Sequence, residues 1–198
     1  MDTVEYNDTS HTYTINGVQF PSVSTVLGMF CDFSRVPKDV LEYKRKIGRA
    51  THKTIELYEA DTLDVDTVDD SVMPYFESYI KFKAAKPFRV VAAEQIVYSK
   101  KHRIAGRLDF NVVFDGNQDI WQIDAKCVAQ MSPETALQTS AYVACWNEMG
   151  NAKIKRRGGL QLQPTGAIAR LFPYTDKNDF LVFLNALNLY RWVSNNRR

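Results

Sequence analysis

The sequence has 198 residues, of which 45% are hydrophobic and 24% are charged. This length predicts one domain with a substantial core, and the ordinary charged fraction excludes general disorder. No apolar run approaches the roughly 18–20 residues of a membrane-spanning helix. The acidic N-terminal stretch lacks the pattern of a signal peptide, so we expect a cytoplasmic protein with no membrane partner. The three scattered cysteines predict neither a disulfide framework nor a structural zinc site.

Charge is distributed unevenly along the chain. The whole sequence has a net charge of +2, but residues 1–75 contain 7 basic and 13 acidic side chains, a net charge of −6. Residues 76–198 contain 18 basic and 10 acidic side chains, a net charge of +8. The second part is therefore where we expect a polyanion to bind.

The first part of the chain is predicted to be a β-hairpin followed by helices. Asn16-Gly17 is a strong turn signal between the two strands of a hairpin over 11–20. Apolar residues spaced by three or four predict a helix over 37–59. An acidic loop over 59–70 then separates it from a second helix over 70–85.

From residue 88 the spacing of apolar residues changes to that of β-strands. Stretches rich in Val, Ile and Phe predict strands over 89–98, 103–114 and 119–126. The whole order of elements predicts an α/β fold, with a mixed central β-sheet flanked by helices and an N-terminal β-hairpin. The remaining predicted elements are a helix from an N-cap at Ser132 to a stop at Gly150, a basic loop over 153–159, a strand over 166–172 and a closing helix over 177–194.

The second and third of these strands form a predicted hairpin that gathers charge. A turn centred between Gly116 and Asn117 places Asp109 opposite Asp124, with Lys126 on the same face as Asp124. Opposed carboxylates repel each other unless they are neutralised, and Mg²⁺ binds such oxygen ligands. The alternative without a functional role is a solvent-exposed strand face that carries a surface ion pair. The other face of the hairpin is predicted to be continuously apolar, with Leu108, Phe110, Val112, Phe114, Trp121 and Ile123.

Five short motifs occur in one order along the chain. They are Gly48-Arg49-Ala50-Thr51-His52, Ala93-Glu94, Gly106-Arg107-Leu108-Asp109, Asp124-Ala125-Lys126 and Gln138-Thr139-Ser140-Ala141-Tyr142. With the N-terminal hairpin they cover about residues 10–145. In this order they resemble the motifs of the PD-(D/E)XK nuclease superfamily and, within it, those of small phage-type RecB-like exonucleases. No single motif is specific, but five in the same order are.

The resemblance implies a single nuclease domain with a restriction-endonuclease-like core, αβββαβ, over 36–198 and a lead-in over 1–35. It implies a divalent-metal-dependent exonuclease that hydrolyses phosphodiester bonds at DNA ends, in recombination, replication or repair. Its catalytic residues would be Asp109, Asp124 and Lys126. The ligands of its Mg²⁺ or Mn²⁺ would be His52, Glu94, Asp109, Asp124 and the carbonyl oxygen of Ala125. The DNA backbone would be contacted, without sequence specificity, by Arg107, Gln138, Tyr142, Lys153, Lys155, Arg156 and Arg157.

The sequence alone leaves other roles possible for these residues. Tyr142 can be a core aromatic, His52 a buried histidine, Glu94 a solvated glutamate, and 153–157 a solvated loop. Stacking of unpaired bases is a further role considered for four aromatic residues, although most of them are expected in the core. These are Phe30, Phe33, Tyr43 and Tyr58.

Other functions also stay open from the sequence. They are a structure-specific endonuclease, and a non-catalytic DNA- or partner-binding module on the same fold. The lysine next to Asp124 disfavours a glycosidase, which needs two carboxyl groups only. Three cysteines are too few for the four that hold an iron–sulfur cluster in some relatives, so we expect no cluster. Oligomerisation and recombination or replication partners are compatible with the sequence.

Overall fold

The architecture is a mixed α/β fold, in agreement with the predicted class. The computed structural model describes residues 2–7, 12–32 and 34–196. A five-stranded mixed sheet is flanked by helices, and a separate three-stranded antiparallel sheet is formed by residues near the N-terminus. Within the described ranges, no helix combines the length and the apolar character needed to cross a membrane.

The predicted long helices are confirmed with small shifts at their ends. The N-cap at Ser132 is wrong by one residue, because Pro133 occupies that position without a capping side chain. The Ser132 hydroxyl instead bonds the Glu134 carboxylate. A short 3-10 helix, Val65–Thr67, interrupts the predicted acidic loop. The helices are α1 (Val23–Gly28), α2 (Lys38–Glu59), α3 (Met73–Ala85), α4 (Glu134–Glu148) and α5 (Asp179–Asn196).

In the described part of the chain, eight strands form the two sheets. They are β1 (Val4–Asn7), β2 (Thr12–Ile15), β3 (Val18–Phe20), β4 (Phe88–Ser99), β5 (Ile104–Phe114), β6 (Ile120–Lys126), β7 (Ile154–Gln161) and β8 (Arg170–Pro173). The small sheet has the order β1-β2-β3, and its β2–β3 hairpin was predicted whereas β1 was not. The large sheet has the order β4-β5-β6-β7-β8, in which only β6 and β7 run parallel.

The predicted basic loop over 153–159 is wrong, because most of this segment belongs to β7. Its glycines serve close packing instead of a turn. A Cβ atom on Gly158 would lie 2.9 Å from the Phe172 carbonyl oxygen, and one on Gly159 would lie 2.7 Å from the Tyr174 hydroxyl. The next predicted strand is also too long, since Gly166 adopts a turn conformation with φ +69° and β8 begins only at Arg170.

The hairpin of β5 and β6 has the predicted register. Phe110 pairs with Ile123, and the ladder continues to the pair of Val113 and Ile120. At the other end of the ladder, Asp109 and Asp124 directly flank its last pair on the two strands. The turn therefore fixes which residues of the two strands meet at the site.

The predicted continuous apolar face of this hairpin is wrong at Leu108. Phe110 packs in the hydrophobic cluster that includes residues of α3, whereas Leu108 packs in the cluster that includes Tyr142 of α4. The regular pairing of β4 with β5 omits Glu94, whose φ is +48°, and resumes at Gln95 and Leu108. The register is the same on both sides of Glu94, whereas the pairing of β4 with β5 shifts between Val90 and Ala92.

Candidate metal centre

Three side chains from three different elements converge beside the β5–β6 hairpin. His52 extends from α2, Glu94 from β4 and Asp109 from β5. His52 Nδ1 lies 3.6 Å from Glu94 Oε1 and 3.5 Å from Asp109 Oδ1. The three candidate ligand atoms all lie within 4.8 Å of one another. This spacing suits the capture of one cation by a nitrogen and two carboxylate oxygens.

His52 is oriented by the backbone of the neighbouring strand. Its Nε2 lies 2.9 Å from the carbonyl oxygen of Ala125. When Nε2 donates its proton to this carbonyl, Nδ1 faces the two carboxylates with its lone pair. Metal-binding histidines commonly donate their second N–H to a backbone carbonyl in this way. The resemblance made Ala125 a metal ligand, and in this structure its oxygen also holds His52 in place.

Asp124 and Lys126 form a second charged group next to the first. Lys126 Nζ lies 2.6 Å from Asp124 Oδ2, and the Asp124 side chain is fully buried. Among the described residues, Asp124 Oδ1 has no hydrogen-bond partner. Asp109 is linked to the same strand, since its Oδ2 accepts a 2.7 Å bond from the Ala125 amide. A buried carboxylate oxygen without a partner is costly, so this oxygen is suited to contact a cation or a water molecule.

Burial and mutual charge shift the pKa values of the site. Burial alone would lower the pKa of His52, but the Asp109 and Glu94 carboxylates outweigh it and raise the pKa to about 9. Burial raises the pKa of Asp124, against the effect of the neighbouring Lys126. Burial likewise raises the pKa of Asp109, against the effects of His52 and Lys126. Shifts of this kind cluster at functional sites.

The raised pKa of His52 predicts that cation binding strengthens as the pH rises. Below pH 9 most His52 side chains carry the proton that a cation must displace, so affinity should rise by up to about tenfold per pH unit. Calorimetric titration with Mn²⁺ at pH 6.5, 7.5 and 8.5 measures this slope. His52→Gln has no proton to lose, so we expect a shallower slope, in which only the raised pKa values of Asp109 and Asp124 contribute. An affinity that does not depend on pH in the unmodified protein would contradict the prediction.

Glu94 reaches the site from a strained backbone conformation. Its φ of +48° is uncommon for a residue with a side chain. Strain of this kind costs on the order of 1–3 kcal/mol and is typical of functional sites. Its Oε1 is buried without a hydrogen-bond partner in the described part of the chain. The protein therefore holds a strained, poorly solvated carboxylate against His52.

The strain at Glu94 is testable with two substitutions that both remove its carboxylate. Glycine tolerates positive φ whereas alanine does not. We therefore expect Glu94→Gly to be more stable to urea unfolding than Glu94→Ala by about 1–2 kcal/mol. At an ordinary strand position the order is reversed, because glycine weakens strands. Equal stability, or a more stable alanine variant, would show that Glu94 is unstrained.

The two motifs Gly-x-x-Asp and Gln-x-x-x-Tyr meet in space. The Tyr142 ring lies against Gly106, so that a Cβ atom at this position would be 2.5 Å from Tyr142 Cε1. Tyr142 is buried, and its hydroxyl accepts a 3.0 Å bond from Gln138 Nε2. Tyr142 is therefore a core aromatic that supports β5 three residues before Asp109. Gln138 lies one helical turn before Tyr142 and is half-buried.

Gly106→Ala should destabilise the protein by about 1–3 kcal/mol, since a buried ring must move to accommodate the methyl group. The matched control is Gly48→Ala on α2, where an added Cβ atom has no neighbour within 4 Å. That change should stabilise the helix slightly, because alanine favours helices over glycine. Urea unfolding of both variants measures the difference. An unaffected Gly106→Ala variant would contradict the described contact.

The predicted DNA-contacting cations do not all lie free. Arg157 is largely buried and donates to the Ala136 and Asp176 carbonyl oxygens and to Asp179, which ties β7 to α4 and α5. Lys155 and Arg156 pair with Asp119 at 3.0 and 3.4 Å. These contacts lie toward the end of β6 away from Lys126. The remaining two predicted DNA-contacting cations, Lys153 and Arg107, are exposed. The Arg107 guanidinium stacks over the Tyr6 ring at 5.1 Å.

The aromatic residues considered for base stacking have different surroundings. Phe30, Tyr43 and Tyr58 are all exposed, and Tyr58 also packs edge-on against Phe76. Phe33 lies outside the described residues. Sequence reasoning missed Arg45, which lines a cavity together with Lys126. The available signal was its spacing on α2, seven residues before His52 and hence on the same helical face.

The chain matches no model of a known protein family and has no significant match among curated proteins.

Proposed function

We propose that this protein is a divalent-metal-dependent deoxyribonuclease of the PD-(D/E)XK type, acting as an exonuclease. The observation that carries the proposal is the convergence of His52, Glu94 and Asp109 within 4.8 Å, next to the Asp124–Lys126 pair. These residues come from the motifs on which the resemblance depends. The order α3, β4, β5, β6, α4 and β7 supports the proposed restriction-endonuclease-like core, αβββαβ.

The donor set fits a hard divalent cation such as Mg²⁺ or Mn²⁺. Carboxylate oxygens are the ligands these ions prefer, and a histidine nitrogen is compatible with Mn²⁺. A bound cation would contact the buried oxygens of Glu94 and Asp124, which lack hydrogen-bond partners. Such an ion supplies charge stabilisation at the phosphate and lowers the pKa of a water molecule. No iron–sulfur cluster enters the proposal.

The protein's own residues would have distinct tasks. Asp109 is held by the Ala125 amide, and His52 by the Ala125 carbonyl, so one peptide segment fixes two ligands. Lys126 carries a proton and a positive charge at the site, where it would orient a water molecule or stabilise negative charge developing on phosphate. DNA would be bound through its backbone, without reading of sequence.

Exonuclease action is favoured over structure-specific endonuclease action by the resemblance only. A non-catalytic DNA- or partner-binding module would need no ordered set of carboxylates and lysine. We favour catalysis because the acidic motif residues and the lysine are all present and adjacent. The proposed exonuclease would act in DNA recombination, replication or repair. Both oligomerisation and binding to other proteins are compatible with this proposal.

DNA digestion in the presence of metal tests the proposed function. End-labelled linear single-stranded DNA, linear duplex and covalently closed circular duplex are incubated with Mg²⁺, with Mn²⁺, and with excess EDTA. We expect degradation of linear DNA with either ion, none with EDTA, and resistance of the circle. Cleavage of the circle would favour the endonuclease. Binding of DNA without cleavage under all metal conditions would favour the non-catalytic module.

A further inference from the structure

A cavity of about 550 Å³ opens directly beside the candidate catalytic lysine. It is lined by α1 and the residues after it, by Arg45 of α2, and by the beginning of α4. Lys126 lines this cavity and also pairs with Asp124 beside the candidate metal centre, so the cavity adjoins that site. Its volume lies within the range of pockets that take small ligands. A ligand in this cavity would therefore touch the site from the side of α1.

We propose that this cavity holds one unpaired nucleotide of the substrate strand, next to the phosphodiester that is cleaved. The inference rests on the proposed function and specifies its substrate. A base cannot enter an apolar cavity while it is paired and stacked in a duplex, and unpairing costs a few kcal/mol. Single-stranded DNA, or an end with unpaired nucleotides, is therefore the preferred substrate over a blunt duplex.

The walls of the cavity suit the flat apolar face of a base. Leu27 and Val128 contribute aliphatic surface, and Phe30 contributes an aromatic ring. Phe30 is 45% exposed, which is costly for a phenylalanine in water and leaves a face available. Stacking of a base on an aromatic side chain contributes about 1–3 kcal/mol and is tolerant of sequence. This agrees with binding that does not read sequence.

Two cationic side chains of the cavity suit the phosphate of the same nucleotide. They are Arg45 and Lys126, and Arg45 makes no ion pair within the described residues. Two carboxylates also line the cavity, but both are engaged locally. Asp32 accepts a bond from the Ser34 amide, and Glu134 bonds the Ser132 hydroxyl. The free guanidinium is the group that would bind a phosphate.

Binding and cleavage of defined oligonucleotides test the inference. The probes are a labelled single-stranded oligonucleotide, the same strand with abasic sites in place of its terminal nucleotides, and a blunt duplex. Affinity is measured with Ca²⁺ in place of Mg²⁺, with intactness of the DNA checked on a gel. We expect tighter binding of the intact single strand than of the other two. Phe30→Ala should weaken single-strand binding roughly 5- to 100-fold.

The controls separate stacking from general effects. Trp192→Ala removes another exposed aromatic, 64% exposed on α5 and outside this cavity, and should leave affinity unchanged. Phe30→Tyr should retain binding, and Phe30→Ala should lose the discrimination against abasic DNA. Equal binding of abasic and intact strands by the unmodified protein, or an unaffected Phe30→Ala variant, would overturn the inference. Base-dependent binding without cleavage in Mg²⁺ would uphold the nucleotide site and refute the nuclease.

Discussion

Asp124→Asn is expected to lower Mg²⁺-dependent DNA cleavage by at least about 10³-fold while the protein remains folded. The amide has nearly the shape of the carboxylate, so packing around this fully buried side chain is preserved. It removes the negative charge that pairs with Lys126 at 2.6 Å and that would help hold the cation. Lys126→Ala should lower cleavage by about 10²–10³-fold, since it removes the cation nearest Asp124.

Asp119→Asn provides the matched control for this prediction. Asp119 precedes β6, carries the same charge and pairs with Lys155 and Arg156 at the other end of the strand. Its substitution should leave cleavage within about twofold, because surface ion pairs contribute little. Initial rates on end-labelled DNA, with circular dichroism as a check of folding, decide the comparison. Full activity of Asp124→Asn would remove this carboxylate from the mechanism.

Phe110→Ala is expected to destabilise the protein by about 3–5 kcal/mol. Phe110 is 1% exposed, and its ring centroid lies 6.0 Å from that of Tyr79 on α3. Its removal leaves a cavity directly behind Asp109, between the large sheet and α3. For a chain of this size the expected decrease of the melting temperature is roughly 6–20 °C. Thermal unfolding followed by circular dichroism measures it.

Phe172→Ala serves as the comparison for Phe110→Ala. Phe172 is 37% exposed on β8, at the edge of the large sheet. Partial exposure predicts a loss well below that at Phe110, on the order of 1 kcal/mol. Similar losses in the two variants would contradict the assignment of Phe110 to the main core. A large loss at Phe110 alone would support the packing that fixes Asp109 in place.

Features that depend on local pattern were predictable from the sequence. The Asp115-Gly116 turn and the alternation of β5 and β6 gave the register that brings Asp109 toward Asp124. The hairpin around Asn16 was predictable for the same reason, since both turn residues adopt positive φ. In each case neighbours in sequence determine the geometry.

Features that depend on tertiary packing were not predictable from local pattern. The glycines of 153–159 look like a loop, but they allow β8 and the Tyr174 hydroxyl to approach β7 closely. The positive φ of Glu94 and the packing of Leu108 in the cluster that contains Tyr142 have no signature in composition. His52 lies 73 residues from Ala125, so only the resemblance placed it at the site.

Locating a bound ion in a crystal is the direct test of the proposed metal centre. A crystal of the protein grown with Mn²⁺ allows the ion to be located from its anomalous scattering. We predict one principal anomalous peak, within coordination distance of Asp109 and between His52, Glu94 and Asp124. The same crystal form of Asp109→Ala should lose that peak. A principal peak elsewhere in the molecule, or no peak at saturating Mn²⁺, would contradict the proposed metal centre.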